Sequence, residues 1–517
     1  MNNIKKTAQI LKENIVVTVF IVIMAVEYIR MMFTNKPWYD ELYTYYYFIS
    51  RGPIYAAIHW PVPNNHVGYS VISAVFDFFG NPYIGLRSVS CIAAVANLIL
   101  IYQISTRFMN KYYATAATAM YAGAYLVYRL SVQGRGYTLA TTCYLVAIFE
   151  IYHIGIGMNK KRNYIIFAAA LALGMYIVPS SLYWVIPTCV TGGVYLLMKR
   201  YIDRLKRLIV AAVAAGAVTF AMYSIIWMAI GANLISKDAE SAMFGVHQAV
   251  IALKHPFASI STGMKYMLAT PYIQSIDRSV CFHTLPQYFS GLFGNFYSYS
   301  GIMLISLSVL LILWNAMNAM KQLYYKRTRV FVSVFVSVSL LVVPIMLIIQ
   351  SVHPYQRVLS FLMIPISFGL MHILYSFFET YAVDKVKAVF GVFFMCIFLF
   401  VTFVKVFGSY YNEPFADREN KIEAVFAKID TSKIDKMYYT DDYQKYVLKF
   451  YHDVVPEECE NIEDCNYVMI CPELRDSKYN EAKWPVLYSY HVARLKYVEE
   501  KMTELAEDEG YTIYARQ

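Results

Sequence analysis

Charge is scarce in this chain of 517 residues. Asp, Glu, Lys and Arg make up 15% of it, whereas 58% is hydrophobic; soluble domains average about 25% charged and 45–50% apolar. That balance excludes a disordered chain and an ordinary soluble enzyme of this size. The sequence also has no glycine-rich phosphate loop, no zinc-ligand spacing, no internal repeat, no low-complexity segment and no nucleotide- or nucleic-acid-binding pattern. Cysteine is sparse, with eight residues. Cys91, Cys143, Cys189 and Cys396 fall in apolar runs and read as small apolar fillers. Cys281, Cys459, Cys465 and Cys471 fall outside them, and the spacing Cys459-x5-Cys465-x5-Cys471 is not that of a zinc site. A Cys459–Cys465 disulfide is one reading of this set; free thiols in a weakly oxidising setting are the other.

What the chain has instead is apolar runs of about 20 residues, long enough to cross ~30 Å of hydrocarbon. Eleven spans are expected, at about 15–33, 84–106, 112–130, 137–157, 164–179, 181–198, 207–231, 299–317, 330–350, 357–378 and 386–408. The first follows Lys5, Lys6 and Lys12 and offers no small-residue cleavage site, so it reads as an uncleaved anchor. Segment 66–80 is short and contains Asp77. If it does not cross, 16 lysines and arginines fall in inner loops, and the short outer loops hold only Arg129, Arg135 and Arg357. If it crosses, those 16 move outside, against the positive-inside tendency. It is therefore expected as an interfacial or re-entrant helix, with the N-terminus cytoplasmic and the C-terminal tail outside the plasma (inner) membrane. Two large outer segments result, 34–83 and 232–298. Many of the 48 tyrosines lie near expected membrane edges, where an amphipathic ring is favoured.

The net charge of +10 combines two opposed parts. Residues 1–408 carry +19, and residues 409–517, with 23 acidic and 14 basic side chains, carry −9. The first part reads as a multi-span membrane domain, the second as a small acidic α/β domain. Within it, helices are expected at about 416–429, from Asp441 to about Tyr451 and at about 490–506, with strands at 436–440, 467–471 and 511–515.

The richest chemistry lies in the outer loops. Lys36-Pro37-Trp38-Tyr39-Asp40-Glu41 follows the first span and places two adjacent carboxylates at an aromatic membrane edge. Burial there raises a carboxylate pKa and suits it to general-base work; a solvated interfacial pair is the alternative. Asn64-Asn65-His66 opens the interfacial helix, either presenting donors to a polar head group or capping the helix. Arg87, Arg135 (in Gln133-Gly134-Arg135-Gly136-Tyr137) and Arg357 (in His353-Pro354-Tyr355-Gln356-Arg357) each begin a span at its outer end. They run against the charge bias of the rest of the chain, and the planar guanidinium fork suits phosphate. Snorkelling to lipid headgroups is the plainer explanation for any one of them. Glu27 and Arg30, three apart, are expected to pair on one helix face.

These residues, in this order, carry a resemblance to the C-type-fold (GT-C) glycosyltransferases. Asp40-Glu41 resembles the acidic pair of their first outer loop. Asn64-Asn65-His66 is similar to their His-Pro-Pro-Leu-type segment, with Val67-Gly68 in place of Pro-Leu. Gly85-Leu86-Arg87-Ser88 is similar to the arginine-containing start of their next span, and Gln133–Tyr137 resembles the Ala-Arg-x-Tyr-type segment of bacterial members. The resemblance spans roughly residues 15–410 and is nearest to protein O-mannosyltransferases, lipid A aminoarabinose transferases and bacterial polyprenyl-phosphate sugar transferases. It implies transfer of a sugar from a polyprenyl-phosphate carrier to a hydroxyl of a glycan, lipid or protein at the outer face, with inversion. Asp40 would be the base, and Glu41 would position the acceptor or tune Asp40. Arg87, Arg135 and Arg357 would meet the lipid phosphate with His66, while Tyr137, His353 and Gln356 complete the substrate site. The resemblance implies no cofactor and no nucleic acid. Some relatives are argued to use a divalent ion, for which Asp40, Glu41 and His66 are the available ligands. A transporter or flippase of lipid-linked sugars, which needs acids near mid-membrane, and a glycan ligase or polymerase, centred on the late loop, are the competing classes.

Overall fold

A computed structural model describes residues 14–59, 65–158, 160–236, 246–269, 275–324, 330–408, 417–475 and 495–516. The apolar runs are helices. Nine of those among the described residues, from Ile15–Thr34 to Val386–Phe407, are long and apolar enough to cross a membrane. Eleven were expected, and the two that differ have local causes. The run 112–130 breaks into Lys111–Ala122 and Tyr125–Leu130. At the break, a Cβ on Gly123 would sit 2.5 Å from the Thr402 hydroxyl, which itself donates to the Ala119 carbonyl at 2.8 Å. The restarted helix has its free N–H groups met by another helix end: Tyr125 N donates to Phe296 O and Leu126 N to Asn295 O, at 2.8 and 2.9 Å. The run 164–179 is the helix Lys161–Ile177, stopped at Val178 by Pro179.

The helix Val67–Phe76 continues as a turn of 3-10 helix over Asp77–Phe79. Together they measure about 20 Å, too short to cross as a straight helix. Asn81 then caps Pro82–Ser105, its side chain accepting from the Tyr83 and Ile84 amides. The expected loop 232–298 is largely helical among its described residues: the preceding span runs on as Ile202–Ser236, about 52 Å long, and is followed by Val246–Lys254, Pro256–Ala269 and Arg278–Gly294. Pro256–Ala269 lies backbone-to-backbone on Ile202–Ser236. A Cβ on Gly231 would be 1.8 Å from the Ser259 carbonyl oxygen, and one on Gly263 would be 2.0 Å from that of Trp227.

The chain divides into two compact units, one of residues 1–32 and 47–412, the other of residues 33–46 and 413–517. The second unit holds a five-stranded sheet in the order β2-β1-β3-β5-β4, where β1 is Lys436–Tyr439, β2 Glu457–Glu458, β3 Tyr467–Ile470, β4 Met502–Asp508 and β5 Tyr511–Arg516. β1 runs parallel to β2 and β3; β5 runs antiparallel to β3 and β4. The helices Asp417–Phe426 and Asp442–His452 form as expected, the latter capped by Asp441. The expected helix 490–506 is helical from 495 to 501 and then becomes β4; residues 490–494 lie outside the described residues. A hairpin turn at Glu509-Gly510, both at positive φ, hands this stretch to β5 as an edge strand. Cys459 and Cys465 are paired in a disulfide, with Cys465 packed into the core beside Val468 and Ile470.

Gly263→Ala is expected to lower the melting temperature of the detergent-purified protein, because the new methyl group must push two helix backbones apart. Gly216→Ala, whose Cβ would enter open space on the Ile202–Ser236 helix, is expected to leave it unchanged or raise it.

Candidate functional site

In the first unit, the polar outer-edge residues gather around the His66 ring. Asn65 builds its support. Fully buried, it donates to the carbonyls of Ala56 and His59 at 3.0 and 2.8 Å and accepts from the Ser70 hydroxyl at 2.8 Å. Asn64 lies outside the described residues. His66 Nδ1 accepts the Gly136 N–H at 2.9 Å. A neutral imidazole so bound carries its proton on Nε2, and Nε2 lies 3.1 Å from a guanidinium nitrogen of Arg135. Two donors are thus neighbours, an arrangement that an anionic oxygen satisfies. The Tyr137 ring stands edge-on to His66 with centroids 4.9 Å apart, and its hydroxyl accepts from Arg357 Nε at 3.3 Å. The Arg357 guanidinium also lies over the Tyr355 ring at 4.6 Å.

The Gln133–Tyr137 motif owes its shape to its glycines. A Cβ at Gly134 would sit 2.4 Å from Leu86 Cδ1, and one at Gly136 would sit 2.7 Å from Ile177. Without side chains, the loop lies directly against its neighbours, and the Ser90 hydroxyl fastens it by donating to the Gln133 carbonyl. Arg135 is 3% exposed. Burial first, then the charges of Arg135 and Arg357, push the His66 imidazole well below its ordinary range. The ring is neutral at pH 7, inside a buried and cationic cluster.

Arg87 is 1% exposed, and its guanidinium donates to the Met32 carbonyl at 3.1 Å, tying the second span to the end of the first. His353 donates to the Cys281 carbonyl at 3.3 Å and stacks on Tyr288, while Gln356 accepts from the Asn295 amide. Both fasten the 353–356 turn to the helix Arg278–Gly294 and its C-cap. The structure therefore joins His66, Arg135, Tyr137 and Arg357, and gives His353 and Gln356 contacts that hold the turn before Arg357.

Asp40 and Glu41 belong to the second unit, on the helix Tyr39–Tyr47. Glu41 is buried, and its carboxylate reaches back to accept the Trp38 N–H at 3.0 Å, the reciprocal half of a capping box. Asp40 is less buried, and its carbonyl accepts from the Thr44 hydroxyl. Glu419, 1% exposed, accepts the Tyr39 N–H at 2.6 Å, and Glu423 pairs with Lys36. Neither glutamate stood out in the sequence reading, yet the signal was there. Glu419 lies in helical register with Ile422, Val425 and Phe426, all buried. Burial, opposed by the Tyr39 N–H and Arg418 and reinforced by Glu41, pushes the Glu419 carboxyl from 4.5 to about 7. Among the described residues no three His, Cys, Asp or Glu side chains come together as a metal-ligand set.

Residues 66–227 match the sequence model of the family described as dolichyl-phosphate-mannose-protein mannosyltransferase. That stretch takes in His66, Arg87, Arg135 and Tyr137 and leaves out Asp40, Glu41 and Arg357. No curated protein matches at a significant level. Among solved structures, ArnT from Cupriavidus metallidurans superposes with a TM-score of 0.59 in its apo state and 0.56 bound to undecaprenyl phosphate. In both, identity is 10%, over 96% of this chain and 97% of that one. An oligosaccharyltransferase from Archaeoglobus fulgidus, in complex with zinc and sulfate, superposes at 0.51, with 12% identity over 96% of this chain and 73% of the other. The chain has the GT-C fold. It is a polytopic membrane protein of that architecture, with a small C-terminal sheet region as expected.

With burial as the main cause and the two arginines adding to it, His66 stays unprotonated to well below pH 6.5. Arg135→Gln removes a repelling charge and should raise the imidazole pKa, as followed by NMR of nitrogen-labelled histidine.

Proposed function

We propose that this protein is an integral-membrane glycosyltransferase that moves a sugar from a polyprenyl-phosphate carrier to an acceptor hydroxyl. The observation that carries the reading is the cluster of buried His66, Arg135 and Tyr137 with half-buried Arg357, a donor-rich group of the kind an anionic phosphate requires. The GT-C fold supports it, as do the family-model match over three of the expected phosphate ligands and the undecaprenyl phosphate held by one structural relative.

In this reading Asp40 takes the proton of the acceptor hydroxyl as its oxygen attacks the anomeric carbon. The new glycosidic bond forms while the bond from that carbon to the phosphate oxygen breaks, and the electron pair leaves on the polyprenyl phosphate. Attack opposite the leaving group inverts the anomeric centre. Arg135 and Arg357, with the His66 Nε2–H, stabilise the charge that grows on the phosphate, a preorganised electrostatic term. A neutral His66 donates without adding to the charge of the resting cluster. Glu41, whose carboxylate caps its own helix, holds Asp40 in position. The acceptor is a hydroxyl of a glycan, lipid or protein. The enzyme acts at the outer face of the plasma membrane, with its N-terminus cytoplasmic and its C-terminal domain outside.

Transport is the weaker reading on a specific ground. The main carboxylates within spans have local partners: Glu27 is bound by Arg30 and the Tyr128 hydroxyl, and Glu150 by Asn163 and His153. A coupled carrier needs such acids to exchange protons or ions.

The test is turnover of a panel of polyprenyl-phosphate sugars by purified protein, followed as release of polyprenyl phosphate. Asp40→Asn is expected to lose about 100-fold or more in rate, the scale of general-base catalysis. Arg135→Gln is expected to weaken polyprenyl-phosphate binding by about tenfold, the effect of one charge-assisted contact, while leaving the fold intact. Full activity in Asp40→Asn, or unchanged lipid affinity in Arg135→Gln, counts against the assignment.

A further inference from the structure

The helix that carries Asp40 begins without a side-chain acceptor from the residue that precedes it. Its N-cap residue, Trp38, has a side chain that only donates, so the acceptor half of a capping box is missing. Two amides at the start of the helix take carboxylates as acceptors instead. Glu41 supplies one to Trp38 N–H, and Glu419 supplies the other to Tyr39 N–H at 2.6 Å. Glu419 comes from a helix 380 residues along the chain, and its neighbour one turn on, Glu423, pairs with Lys36. Residues four apart share a helix face, so one face of Asp417–Phe426 grips the segment 36–39 at two points. Aromatic contacts make the same attachment: Tyr39 stacks on Tyr443 at 4.2 Å, Tyr46 stacks on Tyr446 at 5.8 Å, and Lys449 sits over the Tyr46 ring at 4.3 Å.

We propose that Glu419, assisted by Glu423, is a positioning residue for the transfer step: the C-terminal domain fixes the start of the Asp40 helix and so sets where the base stands. This rests on the glycosyltransferase reading given above. Glu419 makes no contact with substrate in this account. Its action is on the backbone amide next to Asp40, and a base displaced by about 1 Å loses much of its effect.

Among the described residues, three titratable or charged groups act on Glu419 or are acted on by it. Glu41 faces it from the Asp40 helix, Arg418 from its own helix, and Tyr443 from Asp442–His452. With its carboxyl titrating at about 7, Glu419 is neutral at acidic pH and ionised at alkaline pH. The ionised form accepts the Tyr39 N–H more strongly, so kcat should rise with pH through that range. The same shift has the opposite sign for stability. The folded state binds this proton more tightly than the unfolded chain, so the stability contribution is full below about 4.5 and is lost as pH rises through about 7.

The experiment uses full-length protein with four substitutions: Glu419→Gln, Glu419→Asp, Glu423→Gln and Asp40→Asn. Glu419→Gln keeps the shape and an acceptor oxygen but cannot ionise. It is expected to lower kcat about tenfold, the scale of one charge-assisted hydrogen bond, with KM unchanged. It should also abolish the kcat inflection near pH 7 and speed hydrogen exchange at residues 36–42. Glu419→Asp should restore part of the inflection, and Glu423→Gln should lower kcat several-fold and leave the inflection in place. A wild-type kcat, pH profile and exchange rate in Glu419→Gln overturns the proposal, as does an activity loss that Glu419→Asp shares fully with no inflection restored. If Glu419→Gln does not accumulate, a wild-type kcat in Glu423→Gln overturns it. Asp40→Asn separates the two levels. If it is inactive while Glu419→Gln behaves as wild type, only the positioning role fails; if it keeps wild-type activity, Asp40 is not the base and the positioning role fails with it; if the wild-type protein turns over no donor, the glycosyltransferase reading itself fails.

Discussion

A guanidinium keeps its charge at any pH a cell experiences, so an arginine drawn away from water must be matched by acceptors, aromatic faces or a bound anion. Arg87 and Arg135 are both almost completely buried in the membrane unit, and much of the local architecture serves that requirement. The Met32 carbonyl at the end of the first span is directed to Arg87. The loop 133–137 is held by Ser90, packed close through Gly134 and Gly136, and aligned by the Gly136 N–H on His66. Burial first, then the same charges, keeps the His66 imidazole neutral, with its proton on Nε2.

The second unit solves a different problem. A short helix has too few residues to be stable alone, and Tyr39–Tyr47 has nine. It is completed by contacts with helices that lie at the other end of the sequence. Glu41, which the sequence offered as a possible catalytic partner for Asp40, has its carboxylate engaged by the Trp38 amide. Of the two neighbouring carboxylates, Glu41 thus holds the backbone at the start of the helix.

What could be read from the sequence and what could not follows from the range of the interactions involved. Spans were visible because hydrocarbon imposes a length and a composition on each segment by itself. Arg135 and Arg357 were visible because they oppose the charge bias of the loops. The break at Gly123 was not, because its cause is Thr402, 283 residues beyond its partner Ala119. The change from helix to strand at Met502 was equally hidden: the pattern through 495–506 suits a helix, and only pairing with β5 decides against it. Glu419 lay on a legible apolar face, but its partner is a backbone amide, which carries no signature in the sequence.

The bond from Glu419 to Tyr39 spans 380 residues, and that separation has a consequence for biosynthesis. At ~5–20 residues per second a ribosome needs roughly 20–75 s to make the intervening chain. During that interval the segment after the first span has already been inserted, yet its partner helix does not exist. The Tyr39–Tyr47 helix therefore waits for this acceptor until the spans of the membrane unit have been synthesised.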